Sequence, residues 1–167
     1  MNDVYFICSE SGDEYKLQFT TERSGMITPE LLDRINHDGI EVIEIGLGRS
    51  KGNSTTSPLI LNQINQTIAD VFEAHPNAVI CFFCDFINFI PSMSKRRRDM
   101  TVQQYRSLLF SQMFERFTTH HHLDDIYNRV VTIEGVSEPY YFHIIARKVH
   151  LPYANMIEEE FHKDFDK

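Results

Sequence analysis

The 167-residue sequence has only three cysteines, Cys8, Cys81 and Cys84. Their odd number and uneven spacing exclude the disulfide framework of a small secreted domain. Cations are scarce too: 16 Lys and Arg stand against 24 Asp and Glu, a formal charge of −8. Non-specific coating of DNA or of an anionic membrane needs a positive field and is excluded, so nucleic acid is not an expected partner. No apolar run approaches the roughly 20 residues that cross a bilayer. The longest, Ala78 to Ile90, is interrupted by Asp85 and Asn88. The first residues carry neither the positive nor the long apolar region of a signal peptide, so the expectation is a cytoplasmic protein without a membrane. Also missing are the Gly-x-Ser-x-Gly elbow, the His-Glu-x-x-His helix and the EF-hand loop.

What is present reads as one domain over residues 1–167, with 42% hydrophobic residues to build a core. Val4 to Cys8 and Tyr15 to Phe19 flank Ser11-Gly12-Asp13 and predict a hairpin. Thr28-Pro29-Glu30 opens a short helix that ends at His37-Asp38-Gly39. Ile40 to Ile45 predicts a strand, and Gly46 to Ser57 a polar loop. Ser57-Pro58 opens an amphipathic helix with Leu61, Ile64, Ile68, Val71 and Phe72 at helical spacing. Ala78 to Cys84 is apolar on both faces and predicts a strand at the sheet centre. A capping box, Thr101 to Gln104, starts a long helix whose apolar face is predicted at Val102, Tyr105, Leu109, Met113 and Phe117. Tyr127 to Ile133 and Tyr140 to Ala146 predict two more strands, and Pro152 precedes a last helix. The order ββαβαβαββα implies an α+β fold, a mostly antiparallel or mixed sheet with helices packed on it.

Cys81 and Cys84 form a C-x-x-C within a strand. Strand positions three apart face opposite sides, so these thiols are expected as separate core residues and not as a redox or metal pair. Two stretches are candidate anion sites. In the first, the central strand delivers Asp85 to the sheet edge, and the connection that follows carries Lys95-Arg96-Arg97-Arg98 ahead of Tyr105. Arginine forks match phosphate or carboxylate, so Asp85, Arg96, Arg97, Arg98 and Tyr105 are candidate ligand-binding residues. The second is the glycine-bearing stretch with Gly46, Gly48, Arg49 and Lys51, between a strand and a helix, although it lacks the Gly-Lys-Ser/Thr ending of a P-loop. His120-His121-His122, with Asp124 and Asp125, offers metal-ligand residue types. Consecutive histidines in regular structure do not converge on one ion, so no metal or cofactor is expected.

The segment from about Ile43 to Phe117 resembles a family of small bacterial proteins carrying a domain of unknown function. The resemblance rests on Ile43-Glu44-Ile45-Gly46-Leu47-Gly48, on Gln66 to Phe72 ending in His75-Pro76-Asn77, on Phe83-Cys84-Asp85, and on an arginine-bearing stretch leading into Leu109-Phe110 and Met113-Phe114. The tryptophan expected in the helix after the arginines is absent. The resemblance implies the architecture and draws attention to Asp85 and Arg96 to Arg98; it implies no activity. The passage from a central strand through arginines into a helix is also similar to that of GNAT-type acetyltransferases, at the level of fold analogy. Here that connection contains no glycine.

The expected function is a binding or protein-interaction module of the bacterial cytoplasm, with a protein partner or a small anionic ligand. The alternative is an enzyme or sensor for a phosphate-bearing ligand, a nucleotide or acyl-CoA.

Overall fold

The computed structural model describes residues 1–21, 27–54, 56–84, 100–134 and 138–165. In chain order these form β1 (Asn2–Cys8), β2 (Glu14–Thr21), α1 (Pro29–His37), β3 (Glu41–Lys51), α2 (Pro58–Ala74), β4 (Ala78–Cys84), α3 (Val102–His121), β5 (Ile126–Ile133), β6 (Tyr140–Arg147) and α4 (Leu151–Phe165), with one 3₁₀ turn at Lys148–His150. The six strands make a single mixed sheet in the order β1-β2-β3-β4-β6-β5. Only the β3–β4 pair is parallel, and α2 provides its crossover. The fold is α+β, as the element order implies.

Helices cover both faces of the sheet. On one side α2, with Ile60, Ile64, Ile68 and Phe72, packs with Phe110 of α3 over Leu17, Phe19, Ile43, Ile80 and Ile145. On the other, Ile35 of α1 and Ala154, Ile157 and Phe161 of α4 pack over Val42, Val79, Cys81 and Ile144. β4 is buried nearly throughout because it lies between these layers and has a neighbour on each edge. Cys81 belongs to one layer and Cys84 to the other, so the strand alternation separates the two thiols. All three cysteines are free.

Local chemistry accounts for the element ends. Ser57 Oγ accepts from the backbone N–H of Ile60 at 3.3 Å, and Thr101 Oγ1 accepts from that of Gln104 at 3.2 Å. His122 stops α3 in the left-handed conformation with φ 55°. At Thr28 the expected side-chain cap is not made: its hydroxyl donates to Glu160 of α4, which ties the start of α1 to the last helix.

Two expectations are corrected. The predicted loop from Gly46 is strand as far as Lys51, where Gly46 faces Gln18, Gly48 faces Lys16 and Arg49 faces Tyr15. Two glycines lower strand propensity, but an in-register partner supplies the ladder hydrogen bonds that propensity cannot see. The second correction concerns α3. Its buried residues are Gln103, Arg106, Ser107 and Phe110, one or two positions away from the predicted apolar stripe. The helix turns a polar edge into the core because buried polar partners await it there.

Candidate functional site

Three polar constellations stand out among the described residues. The first lies in the core under α3. Ser107 Oγ is 2.9 Å from Nε2 of His143 on β6, and His143 Nδ1 is 3.0 Å from Oδ1 of Asn128 on β5. With a carboxamide oxygen accepting at Nδ1, the imidazole proton sits on Nδ1 and Nε2 accepts from the serine hydroxyl. This is the connectivity of a nucleophile–base–orienter relay. Its surroundings argue against that chemistry. His143 is fully buried and Ser107 is 5% exposed, and the ring of Phe110 stands edge-on to the imidazole at 4.7 Å. Burial drives the His143 pKa down to about 4, which makes the imidazole a weak base. Ser107 also lies inside a helix, where backbone N–H groups are spent on the helix ladder and leave no oxyanion hole at the hydroxyl. The relay is a satisfied buried network that fixes the register of α3 on the sheet.

The second constellation ties the β1–β2 turn to the end of β3. Asp13 is 2% exposed and accepts from the Ser11 hydroxyl at 2.7 Å and from the Ser54 backbone N–H at 2.9 Å. These two bonds, with the Arg49 guanidinium 3.5 Å away, hold its carboxyl at a pKa of about 2. Arg49 Nη2 donates to the Tyr15 hydroxyl at 2.7 Å and to Thr56 Oγ1 at 2.8 Å. The Arg49 side chain is only 6% exposed, so its charge is directed inward at Asp13.

The third is an open cleft of about 530 Å³ between the first half of α2 and the second half of α3. Asn62 and Gln66 come from α2; Arg116, Phe117, His120 and His121 come from α3. Each pair of polar residues four apart, Asn62 with Gln66 and Arg116 with His120, falls on one helix face. Asn65 spans the floor, its Nδ2 donating to the Met113 carbonyl at 3.3 Å. Leu61 and Met113 add apolar wall. The described lining contains no Asp or Glu, although acids outnumber cations in the chain by eight.

The residues singled out from the sequence are not assembled by the described structure. Asp85, Arg96, Arg97 and Arg98 lie outside the described residues, and Tyr105 is half-buried in the first turn of α3. Of the second set, Arg49 is engaged with Asp13 and Tyr15, while Lys51 is exposed opposite Glu14 at the end of the β2–β3 ladder. Gly46 and Gly48 line a shallow cleft of about 320 Å³ with Lys16, Gln18 and Ser50. His120 and His121 stack edge to face at 5.0 Å and border the large cleft; no group of three metal-ligating residues forms among the described residues.

Asn62, Gln66 and Arg116 were not legible as site residues. Their signal is polar spacing of four on the outer faces of two helices, which any solvated helix shows. No helix among the described residues is long and apolar enough to cross a membrane. No protein-family model, curated protein or solved structure matches the chain.

Proposed function

We propose that the protein is a binding module of the bacterial cytoplasm with the α2–α3 cleft as its recognition site. The carrying observation is the make-up of that cleft: an arginine, two histidines and carboxamides converge, and no Asp or Glu is among its described lining residues, in a chain of charge −8. Such a lining favours an anionic ligand over a cationic one. The sealed relay supports binding over hydrolysis, since its serine is only 5% exposed. Three free thiols suit a reducing compartment.

A second reading, an enzyme or sensor for a phosphate-bearing ligand, shares the same preference for anions and would draw on Asp85 and Arg96 to Arg98. A protein partner is favoured by a different feature: Val4, Tyr5 and Phe6 are consecutive exposed residues on the edge strand β1.

Thermal-shift screening against nucleotides, coenzyme A compounds and sugar phosphates tests the binding reading. A ligand at 100 times its Kd adds about 2.7 kcal/mol to stability, and it should be recovered unchanged. Flat curves across the panel, consumption of the stabilising compound, or labelling of Ser107 by a fluorophosphonate would each overturn it.

A further inference from the structure

We infer that the α2–α3 cleft takes a nucleoside monophosphate, with Arg116 and His120 on the phosphate, Asn62 on the base edge and Phe117 beneath the base. This deepens the binding reading and rests on it. At about 530 Å³ the cleft falls within the size range of small-molecule sites. Its wall offers three chemistries.

The cationic part belongs to α3. Arg116 and His120, four apart, present donors from one face, and Arg116 makes no ion pair or hydrogen bond with any described residue. A free guanidinium fork matches the geometry of a terminal phosphate. The carboxamide part belongs to α2. Gln66 Nε2 is engaged by Asp70 Oδ1 at 2.8 Å, whereas Asn62 makes no hydrogen bond with any described residue. A free carboxamide presents a donor and an acceptor side by side, the complement of a base edge such as that of adenine. The apolar part lies in the same wall. Phe117 packs tilted against His121 with centroids 4.2 Å apart, and Leu61 and Met113 line the same cleft. Planar bases stack on such a surface.

A phosphate alone leaves the aromatic wall and the carboxamide unused, and a nucleoside alone leaves the fork unpaired. A polynucleotide meets the long-range repulsion of a chain of charge −8, whereas a single phosphate needs only the local donors.

Isothermal titration of the full chain with AMP, GMP, CMP and UMP tests the proposal, with adenosine, inorganic phosphate and a single-stranded oligonucleotide as comparison arms. At least one monophosphate should bind, with its nucleoside and inorganic phosphate at least tenfold weaker. Arg116→Ala should raise Kd by about ten- to a hundredfold, the scale of a hydrogen bond to a charged group. Asn62→Ala should weaken the preferred monophosphate and narrow the preference among the four bases. Both positions are exposed, so circular dichroism should show both variants folded. Absence of binding by all four monophosphates, unchanged affinity in both variants, or tighter binding of the oligonucleotide would overturn the proposal. A stabilising ligand of another class would leave the binding reading standing and remove this one. Binding followed by turnover would do the reverse.

Discussion

The hydroxyl of Ser107 and Nε2 of His143 meet at 2.9 Å inside the core, joining α3 to β6 across 36 residues of chain. The contact sets the rotation of α3 and places Met113, Arg116 and Phe117 along the cleft. Ser107→Ala leaves a buried ring nitrogen without its donor. The expected loss is about 1–3 kcal/mol in urea unfolding, with an unchanged m-value.

The tautomer of His143 follows from the same contacts. Long-range nitrogen–proton NMR correlations should show the proton on Nδ1 at neutral pH, because Asn128 Oδ1 accepts there. An Nε2–H signal would reverse the polarity of the relay.

Acid should weaken the fold through this ring. Burial lowers the folded-state pKa of His143 to about 4, below the ordinary imidazole value of 6.5. The unfolded chain therefore binds the proton more readily, and stability falls as pH drops from about 6.5 towards 4. The contribution is about 3 kcal/mol across that window. The pKa of His150 is lowered in the same direction, first by desolvation and then by Arg147, and adds to the effect. Asp13 acts lower, since its stabilisation is lost only as pH falls from 3.8 through about 2. Chemical denaturation at pH 7.5 and pH 4 should show the gap between wild type and His143→Gln narrowing by about 3 kcal/mol. An unchanged gap would show that the ring is not desolvated.

Two glycines with nearly equal backbone angles should respond differently to alanine. Gly12 has φ +82° and open space where a Cβ would stand, so Gly12→Ala should cost about 1 kcal/mol. Gly52 has φ +85°, and a Cβ there would fall 2.1 Å from Asp13 Oδ1. Gly52→Ala should cost about 2 kcal/mol or more, and similar thermal shifts for the two variants would contradict the Asp13–Arg49 packing.

The helix starts separate in the same way. Ser57→Ala and Thr101→Ala should each lose about 1 kcal/mol as independent caps. Thr28→Ala should show coupling to Glu160→Gln in a double-mutant cycle, because the Thr28 hydroxyl contacts Glu160 instead of capping α1. Zero coupling would refute that tie.

Element order and most element types were legible because their signals are local. Ser57-Pro58 and the Thr101 capping box mark helix starts, and the unbroken apolar run Ala78 to Cys84 belongs in a sheet centre. The extension of β3 through Gly46 and Gly48 was not legible, since only pairing with β2 makes those residues a strand. The rotation of α3 was missed for a related reason. Val102, Tyr105, Leu109, Met113 and Phe117 carry the stronger apolar period, but Gln103 and Ser107 have partners in Glu138 and His143, which are remote in sequence. The arginine cluster that drew attention in the sequence lies outside the described residues. The cleft combines residues from two helices about 50 positions apart, a juxtaposition no single window contains.

By itself the sequence determined the fold class, the order of elements, the central place of β4 and the opposite facing of Cys81 and Cys84. Each follows from periodicity, capping or strand alternation over a few residues. Tertiary structure decided which edge of α3 is buried, that Arg49 serves Asp13, and that Asn62, Arg116 and Phe117 share one cleft. The physical reason is common to all three. A buried polar group needs a partner, and that partner's distance along the chain has no bearing on its distance in space.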